Sequence, residues 1–138
     1  MKISTRNQWK GTVKAIKKGG VNSEISIKLS DTTFITSVIT NGAVEKLELK
    51  EGSEAIALVK ASNVIIGLDV KNISARNVLC GKISSIIEGP INCEIVIDAG
   101  DVSVTSIITK ESCNILGLNK GKEACAIIKA SNVILLVE

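Results

Sequence analysis

The hydrophobic residues of this chain follow short alternating runs that end at glycine, asparagine, aspartate or serine. The clearest run covers residues 23–29, where Ile25, Ile27 and Leu29 would lie on one face of a sheet. The same pattern predicts four further strands at 11–18, 33–40, 54–60 and 63–68. Isoleucine and valine dominate the apolar residues, and such β-branched side chains favour strands.

One short helix interrupts the strands. Residues 43–47 form a single helical turn, and either Thr40 or Asn41 can cap its N-terminus. Ser30 and Asp31 mark a turn between the second and third strands, and Gly52 ends the connection to the fourth strand. Five short strands with a small helix between the third and fourth are typical of an OB-like Greek-key barrel.

The whole pattern occurs twice. Lys-Ala-Ser-Asn-Val-Ile at 60–65 returns unchanged at 129–134, and three earlier stretches, 3–7, 21–25 and 36–40, return in similar form at 73–77, 91–95 and 105–109. The sequence therefore predicts an all-β chain of two tandem OB-like five-stranded barrels, with domains at 1–69 and 70–138. Because about 65 residues give a marginal core, we expect the copies to pack together and the chain to oligomerise.

Composition argues against several classes of protein. One Trp, one Phe and no Tyr leave few side chains on which nucleic-acid bases could stack. The net charge is only +3, and the single basic run is also compatible with a solvated strand face. No leader-peptide pattern and no apolar run of about 20 residues is present, so we expect a cytoplasmic protein without a membrane partner. The basic run comprises Lys10, Lys14, Lys17 and Lys18.

The chain offers little for metal binding or catalysis. It has no histidine, and its four cysteines all lie in the second copy without Cys-x-x-Cys spacing. We therefore expect free cysteines, some of them small core residues, rather than a zinc site or a disulfide framework. Neither a Gly-rich phosphate loop nor a Gly-x-Ser-x-Gly motif occurs, which indicates that the protein is not an enzyme. The cysteines are Cys80, Cys93, Cys113 and Cys125.

A set of polar residues recurs in both copies where strands enter and leave the predicted barrels. Hydroxyls, a lysine and backbone amides not used in a ladder form a donor-rich pocket, which suits an oxyanion. Two structural roles stay open, because Ser-Asn pairs also form turns and Arg6 could pair with Glu24. The repeated residues are Ser4, Arg6, Asn7, Thr40, Lys60 and Ser62, with Ser74, Arg76, Asn77, Thr109, Lys129 and Ser131.

These stretches resemble the Mop domain of the molbindins. The resemblance rests on Ser-Thr-Arg-Asn-Gln-Trp-Lys-Gly at 4–11, Gly-Gly-Val-Asn-Ser-Glu-Ile at 19–25, Ile-Thr at 39–40 and Leu-Val-Lys-Ala-Ser-Asn-Val-Ile at 58–65. Copy two repeats it as Ser-Ala-Arg-Asn at 74–77 and Ile-Lys-Ala-Ser-Asn-Val-Ile at 128–134, so the resemblance covers essentially the whole chain, in the tandem di-Mop form.

The resemblance implies a cytoplasmic protein that binds and stores molybdate and also takes tungstate. It implies OB-like domains assembled as a homotrimer, without a redox cofactor. Molybdate stays tetrahedral and is held by hydrogen bonds, so protein metal ligands are not needed.

The resemblance also implies two classes of oxyanion site at interfaces between domains. One class combines the Ser-x-Arg-Asn segment of one domain with the Lys-Ala-Ser segment of another, with a threonine nearby. The second class lies close to the threefold axis, at a turn that loses an N–H in copy two because Pro90 replaces Gly20. First-class residues are Ser4, Arg6, Asn7, Thr40, Lys60, Ala61, Ser62, Ser74, Arg76, Asn77, Thr109, Lys129, Ala130 and Ser131; second-class residues are Gly20, Val21, Asn22, Ile91 and Asn92.

Two other functions stay open on the residues alone. An OB-type nucleic-acid module would use the lysines of the basic run, and its binding should weaken steeply with salt. A purely structural assembly module would bind no anion, so Lys60→Ala and Lys129→Ala would change no anion affinity.

Overall fold

A computed structural model describes all residues, 1–138, and is mostly strand. The first copy contains β1 (Asn7–Lys18), β2 (Asn22–Lys28), β3 (Phe34–Thr40), α1 (Asn41–Lys46), β4 (Glu54–Val59) and β5 (Ile65–Gly67). The second contains β6 (Asn77–Glu88), β7 (Asn92–Asp98), β8 (Ser103–Thr109), α2 (Lys110–Ile115), β9 (Glu123–Ile128) and β10 (Ile134–Leu136). The all-β class, with a short helix between the third and fourth strands of each copy, is confirmed. Neither helix has the length and apolar character that crossing a membrane requires.

Each five-stranded sheet takes one strand from the other copy of the repeat. The strand orders are β10-β4-β1-β2-β3 and β5-β9-β6-β7-β8, with antiparallel pairing of β10 to β4 and of β5 to β9. The chain divides into two compact units, which we call unit 1 (Met1–Val59 with Lys129–Glu138) and unit 2 (Lys60–Ile128). The domains predicted from the repeat, 1–69 and 70–138, differ from these units. The reason is that β5 of the first copy pairs with β9 of the second, and β10 of the second copy pairs with β4 of the first.

A buried serine in each unit links the two edge strands of the sheet. In unit 1, Ser37 of β3 donates its hydroxyl to the carbonyl of Val133, just before β10, at 2.7 Å. In unit 2, Ser106 of β8 donates to the carbonyl of Val64, just before β5, at 2.6 Å. Both serines are fully buried. These bonds join edges that no ladder connects, and they satisfy hydroxyls that would be costly to bury unpaired.

The core is built from the residues that alternation predicted to face inward. Ile25 and Ile27 in β2, and Ile95 and Ile97 in β7, have no exposed surface. The fourth strand of each copy is instead buried continuously, over 55–59 in β4 and 124–128 in β9. An unbroken apolar run of this kind is typical of a strand that is buried on both faces.

Two strands of the first copy differ from the prediction by more than one residue at a boundary. β1 begins at Asn7, four residues before the predicted start, because residues 7–12 pair with β4. The last strand of the first copy is shorter than predicted, because Ala61–Asn63 form a 3-10 helix before it. Copy two has the matching 3-10 helix at Ala130–Asn132. Both differences lie in segments that carry predicted site residues.

Candidate oxyanion-binding site

The predicted Ser-x-Arg-Asn segments lie at the starts of β1 and β6. Asn7 is buried, and its side-chain amide donates to the carbonyl of Val59 at 3.2 Å. Asn77 makes the equivalent bond to the carbonyl of Ile128 at 3.3 Å. The residue after each of these carbonyls is the predicted lysine, so the asparagines anchor the backbone where the Lys-Ala-Ser segment begins. Four other predicted residues of these segments lie just before the strands and are exposed: Ser4, Arg6, Ser74 and Arg76.

The Lys-Ala-Ser segments form the 3-10 helices that precede the last strands. The carbonyl of Lys60 accepts from the N–H of Asn63 at 2.9 Å, while its side chain makes no capping bond. Within this turn Ala61 is buried, whereas Lys60 and Ser62 are exposed. Lys129, Ala130 and Ser131 repeat the arrangement in copy two. A buried alanine thus fixes a rigid turn from which a lysine and a hydroxyl are available to solvent.

The predicted threonines cap the helices. Thr40 accepts from the N–H of Ala43 through its hydroxyl oxygen at 3.1 Å, and Thr109 accepts from Ser112 at the same distance. Of the two predicted capping residues, the structure selects Thr40 over Asn41.

The capping threonines also lie beside residues of the second predicted site class. In the strand ladders Thr40 is the direct partner of Asn22, and Thr109 is the direct partner of Asn92. One threonine of the first class and one asparagine of the second class therefore lie side by side in each unit.

The turn predicted for the threefold axis has the same closing backbone hydrogen bond in both copies. The N–H of Gly19 donates to the carbonyl of Asn22 at 2.9 Å, and the matching bond in copy two is 2.8 Å. Val21 and Ile91 lie at the tips and are 75% and 74% exposed. The replacement of Gly20 by Pro90 therefore removes a donor without changing these bonds.

A cavity of about 420 Å³ in unit 2 collects residues from three separate predicted stretches. Ser62 lines it from the 3-10 helix, Asn92 from β7 and Thr109 from the end of β8. A few polar groups among apolar walls are the usual composition of a small-ligand site. No charged side chain lines the cavity. The other lining residues are Val64, Ile65, Ile66, Ile107, Ile108, Ser112 and Leu116.

The structure adds Thr5, which the sequence did not single out. Its hydroxyl oxygen is buried and has no hydrogen-bond partner. Thr5 occupies the variable position of the Ser-x-Arg-Asn segment, where copy two has Ala75. A buried unpaired hydroxyl is costly, so this oxygen is a candidate for contact with a ligand or another chain. Only its burial distinguishes it, and no sequence pattern signals that.

The expectation of four free cysteines is wrong for two of them. Cys80 and Cys125 are direct partners on β6 and β9 and form a disulfide. The pairing could not be seen from spacing, because it joins residues 45 apart that only the strand register brings together.

Cys93 and Cys113 are free and buried, as expected. Burial raises the pKa of the Cys113 thiol, and the neighbouring Cys93 and Glu88 raise it further. Cys113 therefore remains a protonated thiol. No cluster of three or more His, Cys, Asp or Glu side chains is arranged to hold a metal ion.

Comparison with known proteins identifies the family. The TOBE domain model matches residues 3–66 and 73–135, which together make up most of the chain. This chain belongs to the TOBE domain family. The two TOBE matches fall on the two copies of the repeat, one in each.

Relatives of this TOBE protein carry molybdenum-related names. The chain is 43% identical over 99% of its length to the molybdenum transport protein ModE of Azotobacter vinelandii, and 41% identical over 98% to the molybdenum-pterin-binding protein MopA of Rhodobacter capsulatus. It spans about half the length of these relatives, 52% of each. A probable molybdenum-pterin-binding protein of Haemophilus influenzae is covered completely, at 41% identity over 69 residues.

One solved structure resembles this TOBE protein along its entire length. It is the cytoplasmic molybdate-binding protein ModG with molybdate bound, with 43% identity, full coverage of both chains and a TM-score of 0.94. The predicted resemblance to tandem Mop-domain proteins is confirmed.

Proposed function

We propose that this TOBE protein is a cytoplasmic molybdate-binding protein that serves molybdenum storage and homeostasis, and that it also takes tungstate. It acts as a binding protein and not as an enzyme. It works as a homotrimer without a redox cofactor, a nucleic-acid partner or a membrane partner. The names of its relatives and the molybdate-bound ModG structure support this function.

The observation that carries the proposal is the composition of the unit 2 cavity. Ser62, Asn92 and Thr109 come from three stretches that the sequence assigned to oxyanion binding, and they line one space. A tetrahedral dianion needs several donors that converge, and hydroxyl and side-chain amide groups are such donors. Once the apolar walls are covered and water is excluded, each hydrogen bond to the anion becomes stronger.

The cavity of a single chain lacks the positive charge that a dianion requires. No cation lines it, and the predicted cation, Lys60, is exposed two residues before Ser62. We therefore place the working sites between copies of the chain. There a second copy covers the apolar walls and contributes a lysine and a Ser-x-Arg-Asn segment. This requirement supports an oligomer, and the resemblance to di-Mop proteins is the reason for proposing a trimer.

Selection of molybdate over sulfate must come from the size of the site. Both anions are tetrahedral dianions, so hydrogen bonding alone distinguishes them weakly. A site that fits the larger molybdate leaves some donors out of reach of the smaller sulfate. Discrimination of this kind is a difference between two affinities.

Native mass spectrometry with molybdate and then with sulfate tests the proposal. We expect a trimer that gains several molybdates and few or no sulfates. A trimer that gains neither anion would contradict the binding function while leaving the assembly intact. A monomer that binds molybdate would contradict the shared sites.

Lysine variants test the assigned residues. Loss of one charge-assisted hydrogen bond costs about 1.5–3 kcal/mol, so Lys60→Ala and Lys129→Ala should each weaken molybdate binding about 10- to 150-fold in calorimetry. Lys14→Ala, an exposed lysine on β1 outside both segments, is the control and should leave the affinity unchanged. Equal affinities for all three variants would show that these lysines do not hold the anion, and absence of binding in every form would favour the purely structural module. Salt-sensitive oligonucleotide binding would instead favour the nucleic-acid module.

A further inference from the structure

We propose that Cys80 and Cys125 form a reversible thiol–disulfide exchange site in unit 2, one that dithiols reach while the unit stays folded. The bond would form under oxidising conditions and open under reducing ones. The site is separate from the oxyanion residues, so the inference does not depend on the proposed function.

The position of the two cysteines makes their sulfurs accessible. Cys80 on β6 and Cys125 on β9 are direct ladder partners, with Cα atoms 4.0 Å apart. Cys80 is exposed and Cys125 is 9% exposed. Both line an open cavity of about 310 Å³, together with Asp69 and Glu123. An attacking thiol can therefore approach Cys80 from solvent without strand separation.

Unit 1 shows that the sheet does not need the disulfide. Its corresponding strands, β1 and β4, pair in the same register, and the positions of the two cysteines are occupied by Lys10 and Ile56. The ladder between β6 and β9 likewise runs over six residue pairs, and only one of these pairs is the disulfide. Opening the bond should therefore leave the strands paired, which is the condition for reversible exchange in a folded protein.

The exchange balances with a dithiol as the reductant. A thiolate of the dithiol attacks Sγ of Cys80, the S–S bond to Cys125 breaks, and the Cys125 sulfur leaves as a thiolate that takes up a proton. The second thiol then attacks the reductant sulfur of the mixed disulfide and releases Cys80 as a thiol. The dithiol leaves as a cyclic disulfide, having supplied two electrons, and the reverse sequence restores the protein bond. In a reducing compartment such pairs are commonly transient or redox-sensing.

The second cysteine pair provides an internal control. Cys93 and Cys113 are 1% and 3% exposed, so alkylating reagents should not reach them while unit 2 is folded. Labelling of these two thiols therefore reports unfolding, whereas labelling of Cys80 and Cys125 reports opening of the disulfide alone.

Alkylation of the native protein tests the proposal. After incubation with dithiothreitol, iodoacetamide should add two groups, mapped by peptide mass spectrometry to Cys80 and Cys125, with unchanged far-ultraviolet circular dichroism. In a parallel sample that is reduced and then oxidised with excess cyclic disulfide of dithiothreitol before any alkylation, the labelling should return to zero. Absence of labelling after dithiothreitol, or four labels with loss of circular dichroism, would overturn the proposal.

A double variant tests the assumption that the bond is dispensable. Cys80→Lys with Cys125→Ile installs the pair found in unit 1 and should fold with an unchanged circular dichroism spectrum. Its native form should take up no label with or without dithiothreitol. The variants Cys80→Ser and Cys125→Ser are the comparison. If they and the double variant all fail to fold, the disulfide is structural and the inference is overturned. None of these measurements uses molybdate, so their failure leaves the proposed function standing.

Discussion

Glu48 ends helix α1 in a backbone conformation for which copy two uses glycine. Its φ is 52°, and Gly117, at the corresponding place after α2, has a φ of 60°. Both residues belong to a Schellman motif. The N–H of Glu48 donates to the carbonyl of Glu45, and the N–H of Leu49 donates to that of Val44, each at 3.1 Å, with equal distances in copy two. Both helices thus end with a residue in the left-handed backbone conformation, and only in the first does a side chain make that conformation sterically unfavourable.

Exchanging the two residues should shift stability in opposite directions. The left-handed conformation costs a non-glycine residue about 1–2 kcal/mol, and the extra freedom of glycine in the unfolded chain offsets about 0.5–1 kcal/mol of that. Glu48→Gly should therefore stabilise by about 0.5–1 kcal/mol, and removing a negative charge from a helix C-terminus adds about 0.3 kcal/mol. Gly117→Glu should reverse the effect without a steric clash, because a Cβ there would meet only the Lys122 amine at 3.6 Å.

Thermal unfolding followed by circular dichroism measures both changes. For a chain of this size 1 kcal/mol corresponds to about 3 °C in Tm, so we expect a rise of about 2–3 °C for Glu48→Gly and a similar fall for Gly117→Glu. Glu48→Ala is the control, because it removes the charge and keeps the left-handed conformation. An equal gain for Glu48→Ala would refute the conformational argument and assign the effect to charge.

Three further predictions follow from buried groups. Ser37→Ala and Ser106→Ala each remove the hydroxyl that links two edge strands, so each should cost about 1–3 kcal/mol in urea unfolding; a cost near zero would show that the linkage is unimportant. Thr5→Ala installs the residue of copy two and removes an unpaired hydroxyl, so stability without anion should stay equal or rise, and a clear loss would mean that the hydroxyl has a partner. The pKa of the Cys113 thiol is raised in the folded state. The folded protein therefore has its full stability below the usual thiol pKa, and it loses stability as the pH rises through the pKa of the folded state. Cys113→Val installs the copy-one residue, Val44, and should reduce the loss of stability above the usual thiol pKa, measured by urea unfolding at a series of alkaline pH values.

Local patterns predicted the parts of the fold that depend on local physics. Alternation identified β2 and its buried isoleucines because one face of that strand packs in the core. Thr40 was one of two predicted caps because a helix leaves its first N–H groups unpaired, although α1 begins at Asn41, two residues before the predicted start. The beginning of β1 was missed because Asn7 and Gln8 are polar, and their strand conformation depends on β4, about 50 residues away.

The pairing of the last strands could not be predicted from the sequence. The segment that leads into β5 is identical to the one that leads into β10, so both β4 and β9 present an edge that either strand can match. Ile134 pairs with Leu58, whereas Ile65 pairs with Ile127, and both partners are buried aliphatic residues of similar size. Side-chain chemistry does not distinguish the two arrangements, and only the path of the chain does.

This exchange of strands explains why Lys-Ala-Ser-Asn-Val-Ile is kept unchanged in both copies. The 3-10 helix of copy one carries Ser62 to the cavity that contains Thr109 of copy two, and the 3-10 helix of copy two packs on β3 of copy one, the strand that ends at Thr40. Each Lys-Ala-Ser segment must therefore fit the barrel of the opposite copy. Within its own copy, the asparagine at the start of β1 or β6 also binds the carbonyl of the residue just before that segment. A substitution in either Lys-Ala-Ser segment would alter both the strand entry of one copy and the packing against the other copy, and this double requirement accounts for polar residues that a strand start alone would not need.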